Sequence, residues 1–129
     1  RMYTLPIKEE WQEATSYVAS RAEPGELVLF VATDAQFPFD YYLEGEGIDL
    51  ERRGLPVDVF TVGPLEPEVR PEDLGRVDRL VAGRDSFWLI ESHEEFADPE
   101  GRVRRHSDDR YRQMERREFV GIVVSRYGT

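Results

Sequence analysis

Cysteine is absent from the chain. No disulfide framework, thiolate metal site or cysteine nucleophile can therefore form, and composition leaves the redox compartment open. Long apolar runs are missing too. The longest, Leu27 to Ala32 and Phe119 to Val124, fall far short of the ~18–20 residues that cross a bilayer. Lysine occurs once, as Lys8, and there is neither a glycine-rich dinucleotide fingerprint nor a phosphate-cradling loop ending in lysine and serine or threonine. Those absences remove two nucleotide-binding signatures. Near Arg1 no basic segment leads into an apolar stretch, so nothing there reads as a signal peptide.

What is present fits one domain. At 129 residues a chain removes roughly two-thirds of its unfolded surface from water on folding. Hydrophobic residues make up 40% and charged residues 34%, too apolar and aromatic for a disordered chain. Seventeen basic residues against 27 acidic give a formal charge of −10, which argues against a nucleic-acid-binding face. The charge is uneven: residues 1–100 sum to −14, whereas residues 101–129 carry 8 basic and 4 acidic groups. Such a basic stretch reads first as a solvated face. A start at Arg1 instead of methionine leads us to expect a piece of something longer.

Periodicity yields alternating elements. Trp11, Ala14, Tyr17, Val18 and Ala22 form an apolar stripe over residues 8–22, stopped by Pro24 and Gly25. Leu27 to Ala32 reads as a strand covered on both faces. Phe37 to Leu43 opens a second helix, with Pro38 tolerated in its first turn. Val57 to Val62 is a second strand, nearer an edge. Pro71-Glu72-Asp73 starts a helix with buried Leu74, Val77, Leu80 and Val81, stopped by Gly83. Phe87 to Ile90 is the third strand. Ser107 caps a last helix holding Tyr111 and Met114, and Phe119 to Val124 is the fourth strand. This alternation predicts a single three-layer α/β domain, Rossmann-like, with a mainly parallel sheet of about four strands flanked by helices and the two most continuous runs central.

In such sheets ligands collect beyond the carboxyl ends of the strands. Thr33, Asp34, Gln36, Gly63, Ser92, His93 and Glu94 fall there. A Ser92, His93, Asp34 hydrolase set fails on geometry, because adjacent residues of an extended chain point oppositely and Ser92 has no glycine-flanked elbow. His93, Glu94, Glu95, Asp98 and His106 suit a divalent cation by type but lack ligand spacing. The aromatic run Phe37 to Tyr42, with Trp11 and Trp88, reads first as core filling and second as a carbohydrate- or lipid-contacting surface.

Certain strings are more specific. They are Trp11-Gln12-Glu13-Ala14, Tyr17-Val18, Pro24-Gly25-Glu26-Leu27-Val28-Leu29 and Gln36-Phe37-Pro38-Phe39-Asp40-Tyr41-Tyr42, followed by Phe87-Trp88-Leu89-Ile90, Ser92-His93-Glu94, Asp98-Pro99 and a final Arg126-Tyr127. Across nearly the whole chain they resemble the soluble C-terminal domain of bacterial polytopic membrane glycosyltransferases related to the dolichyl-phosphate-mannose protein mannosyltransferases. The resemblance implies a membrane parent that moves a sugar from a polyprenyl-phosphate donor onto an acceptor at the extracytoplasmic face, its catalytic acids lying in an earlier loop. No residue of this chain inherits a catalytic role. Asp34, Gln36, Asp40, Tyr41 and His93 form the candidate patch for lipid-linked sugar or acceptor. The implied partner is the parent's transmembrane part; no cofactor belongs to this domain, and a divalent metal would belong to the parent. Two other classes compete. One is a free-standing α/β enzyme or small-molecule-binding domain with its site at the strand ends, the other an interaction module docking on an acidic partner through Arg112, Arg116 and Arg117.

Overall fold

The computed structural model describes residues 10–31, 36–55, 69–92 and 101–129. Its elements run α1 (Trp11–Arg21), β1 (Leu27–Val31), α2 (Gln36–Leu43), β2 (Glu51–Leu55), α3 (Leu74–Val81), β3 (Ser86–Ser92), α4 (Arg102–Arg110), β4 (Arg112–Phe119) and β5 (Ile122–Gly128). A short 3-10 turn, Pro71–Asp73, leads into α3.

The five strands lie in the order β2-β1-β3-β5-β4. β1 runs parallel to β2 and β3, through five registered pairs each. β5 runs antiparallel to β3 and β4, through seven each. The sheet is therefore mixed and mostly antiparallel, which overturns the expected mainly parallel, four-stranded, Rossmann-like sheet. The cause lies in residues 111–124. The last helix ends at Arg110, and the stretch holding Met114 is strand β4. Phe119 pairs with Ile122, so Val120 and Gly121 form a two-residue hairpin turn, a connection open only to antiparallel strands. Gly121 has φ 76°, a conformation that costs most other residues energy. Ser107 does not cap α4 but is buried within it; Gly101, at φ 68°, is its N-cap. The expected strand at 57–62 lies outside the described residues; β2, Glu51–Leu55, is a strand that the sequence reading did not anticipate.

The remaining elements follow their residues. β1 (LVLFV) is buried at every position, and β3 is buried from Phe87 to Ser92, as strands covered on both faces must be. β3 occupies the centre, flanked by β1, which holds the first of the two expected central runs, and by β5; the second run, Phe119 to Val124, spans the β4–β5 hairpin and is not one strand. Strand partners share a face. Val28, Phe30, Trp88, Ile90 and Arg126 look toward α1 and α2, where Tyr17 meets Trp88 edge to face at 6.1 Å and Phe39 meets Phe30 at 5.0 Å. Leu29, Phe87, Leu89 and Tyr127 look toward α3 and α4; Phe87 stacks on Tyr127 at 5.3 Å, and the Tyr127 hydroxyl donates to Asp108 of α4 at 2.7 Å. Helices thus cover both faces. No described helix is long and apolar enough to cross a membrane.

Candidate functional site

Asp34 and His93 lie outside the described residues, as does every residue of the candidate cation set except His106. The other three members of the candidate patch sit on α2. Gln36, its first residue, is buried. Its Nε2 donates to Asp40 Oδ2 at 3.2 Å, and its Oε1 is buried without a hydrogen-bond partner. Residues four apart share a helix face, which is why these two meet. The second Asp40 oxygen, Oδ1, accepts from Arg52 Nη1 of β2 at 2.7 Å. Asp40 therefore ties α2 to the sheet edge, and its carboxylate is doubly engaged.

Tyr41 points elsewhere. One residue on, the helix has turned about 100°, and the Tyr41 side chain is 73% exposed, its ring edge to face with Tyr42 at 5.0 Å and 84°. Two neighbouring grooves result. One, of about 400 Å³, is bounded by Asp40, Leu43, Glu44, Ile48, Asp49 and Arg52. The other, of about 600 Å³, is bounded by Gln12, Tyr41, Tyr42, Glu44, Gly45 and Glu46. Glu44 lies between them. The structure joins Gln36 to Asp40 and sets Tyr41 on a separate wall.

Three polar centres were missed by sequence reasoning. At the amino ends of β1 and β3, Glu26 and Arg126 form a two-pronged ion pair, Nε to Oε2 at 3.0 Å and Nη2 to Oε1 at 2.9 Å. Their side chains are only 4% and 12% exposed. Ser86 Oγ and the Glu23 amide also donate to Glu26, at 2.5 and 3.0 Å. Burial pushes the Glu26 carboxyl up, but the donors, led by Ser86, outweigh it and hold it below the usual carboxylate range. The Arg126 guanidinium lies over the Trp88 ring at 5.0 Å, and its Nη1 reaches Glu115 at 3.5 Å. Glu115 in turn accepts the Tyr17 hydroxyl at 2.8 Å.

The second centre bridges α3 and α4. Asp78 Oδ1 accepts from the Tyr111 hydroxyl at 2.5 Å and pairs with His106 Nε2 at 2.9 Å and Arg110 Nε at 3.3 Å. Burial raises this carboxyl, yet hydrogen bonds from Tyr111 and His106 bring it net below its ordinary value. His106, once a candidate cation ligand, is thus engaged by Asp78. The third centre is Glu91 with Arg104, at 3.0 Å, on the face covered by α4. Glu26 and Arg126 are 100 residues apart, so only strand order could have announced them.

The chemistry of these groups is pairing. Each carboxylate in the three centres faces a cation or hydroxyl: Glu26 ties β1 to β5, Asp78 ties α3 to α4, and Glu91 ties β3 to α4. Ser92, drafted above as a nucleophile, is a buried residue ending β3. Among the described residues no group of three or more histidine, aspartate or glutamate side chains is placed to hold a metal ion. Compared with known proteins, the chain matches no family model and no curated protein.

Proposed function

We propose that the chain is the soluble, non-catalytic α/β domain of a membrane glycosyltransferase similar to the protein mannosyltransferases. Its parent transfers a sugar from a polyprenyl-phosphate donor, and the domain stands on the extracytoplasmic side, against the parent's transmembrane part. One observation carries the reading: the strings behind the resemblance supply the frame of the domain. Trp11, Ala14 and Val18 are the buried face of α1, Leu27 to Leu29 begin β1, Phe39 anchors α2, Phe87 to Ile90 are the core of β3, and Tyr127 is buried in β5. That the strings fall on α1, β1, α2, β3 and β5 supports a likeness spread over several elements.

In this reading the domain flanks the catalytic centre and shapes the approach of acceptor or lipid-linked sugar. Asp34 and His93 follow β1 and β3 in the chain, and with the exposed Tyr41 they are the residues offered to that substrate, while Gln36 and Asp40, bonded to each other and to Arg52, hold α2 in place. Any divalent ion belongs to the transmembrane part.

The test begins with the reading frame upstream of Arg1. Several hundred residues with multiple apolar spans are expected, and a start codon just before Arg1 would sink the proposal. Membrane vesicles holding the complete protein should consume a polyprenyl-phosphate sugar. Asp34→Ala and His93→Ala should raise the acceptor KM while leaving kcat within about twofold, since uniform binding is what they would remove.

A further inference from the structure

Arginine side chains in this molecule lie over buried and half-buried rings. Arg21 and Arg117 lie over Tyr17 at 4.7 and 5.5 Å, Arg117 also over Phe119 at 5.4 Å, and Arg126 over Trp88 at 5.0 Å. Over Tyr41 and Tyr42, among the described residues, no arginine is placed. Among the described residues Tyr41 is the most exposed large apolar side chain, and Phe37, one turn earlier, is 56% exposed. The two tyrosine rings stand at 84°, forming two walls of a corner.

The remaining lining is electronegative. Glu44 and Glu46 border the same cleft. Ser16 of α1 donates to Glu46 Oε2 at 2.8 Å and holds that carboxylate at the rim. The cleft sits at the carboxyl end of α2, the negative end of its peptide dipole, and α2 has no basic residue in its last turn. Arg52 borders the neighbouring groove and is held by Asp40. Two ring faces, two carboxylates and a helix carboxyl terminus all favour one charge sign.

We propose that this cleft between α1 and α2 binds an organic ammonium group, held on the faces of Tyr41 and Tyr42 and neutralised by Glu44 and Glu46. Ring quadrupoles attract cations within about 6 Å of the centroid, and quaternary ammonium groups suit aromatic corners of this kind. The inference concerns this chain alone and does not depend on a membrane parent.

Choline and its neutral isostere 3,3-dimethylbutanol separate charge from shape. In amide-resolved NMR at constant sodium chloride, choline should give saturable shifts at Tyr41, Tyr42 and residues 44–46, and the neutral compound should not. Tyr41→Leu, at an exposed position that should not disturb folding, should weaken choline about fivefold or more, whereas Tyr41→Phe should keep it within about twofold. The paired change Glu44→Gln and Glu46→Gln should weaken it further. Equal shifts from both compounds, shifts spread over the acidic surface, or choline binding unchanged by Tyr41→Leu would each overturn the proposal.

Discussion

Glu26 is the residue whose removal should be felt most widely. Its partner Arg126 is buried with it, and taking away one member of such a pair strands the other, at a typical cost of about 3–5 kcal/mol. Glu26→Gln should therefore lower unfolding free energy by about 3 kcal/mol in urea titration at pH 7. The neighbouring link is gentler: a double-mutant cycle with Tyr17→Phe and Glu115→Gln should return a coupling of about 1 kcal/mol, the worth of one hydrogen bond to a charged group in a half-buried site. Thr15 provides the opposite sign. Its hydroxyl is buried with no partner, so Thr15→Val removes an unsatisfied polar group without emptying the site, and should raise stability by up to about 1 kcal/mol. None of these three roles could be read from the chain alone, because each depends on what lies opposite in space.

Elements differed sharply in how openly the sequence announced them. β1, β3, α2 and α3 were legible since each shows one unbroken apolar signal, a run for a strand covered on both faces or a stripe for a helix. β2 and β4 hid for the converse reason. β4 reads RQMERREF and is exposed or half-exposed along its whole length, so no alternation marks it, and Tyr111 and Met114 sit three apart by chance as on a helix. Its charges fit an edge strand that must not pair with strangers. Met114 itself lies at a register shift between Gln113 and Glu115, a bulge that displaces the pattern by one residue. In the candidate patch, helical spacing explains the Gln36 to Asp40 contact once the helix is known to start at Gln36 and not at Phe37, while the Arg52 partner depends on β2, which was unseen. Gly121→Ala tests the hairpin: with φ at 76°, the substitution should cost about 1 kcal/mol or more, read as a lower unfolding midpoint with an unchanged m-value.

At the scale of the whole molecule, acidity and fold are linked through the two depressed carboxyls. Glu26 and Asp78 both lie below their ordinary values, so the folded state holds their protons less tightly than the unfolded chain does. Their stabilisation is complete above the unfolded carboxylate range of about 4 and is lost as pH falls through the folded values. Unfolding midpoints in urea should stay nearly level on these groups' account between pH 7 and pH 5, then fall below about pH 4, where greater stability at pH 3 than at pH 7 would contradict the assignment. The basic stretch of residues 101–129 also changes meaning. It is no continuous helix, because its arginines divide between α4, β4 and β5. Arg104, Arg110, Arg116 and Arg126 pair with Glu91, Asp78, Glu118 and Glu26, which leaves less free charge for an acidic partner than the count implies. Strand order has one more result. β5 follows all the other strands in the chain, yet it lies inside the sheet, between β3 and β4. While the chain is being made, or threaded through a pore from its amino end, β1, β2 and β3 emerge with the apolar edge of β3 uncovered, and Glu26 waits 100 residues for Arg126. The sheet cannot be completed until that last hairpin is present, and until then β3 is an edge strand with its backbone open to pairing with other chains.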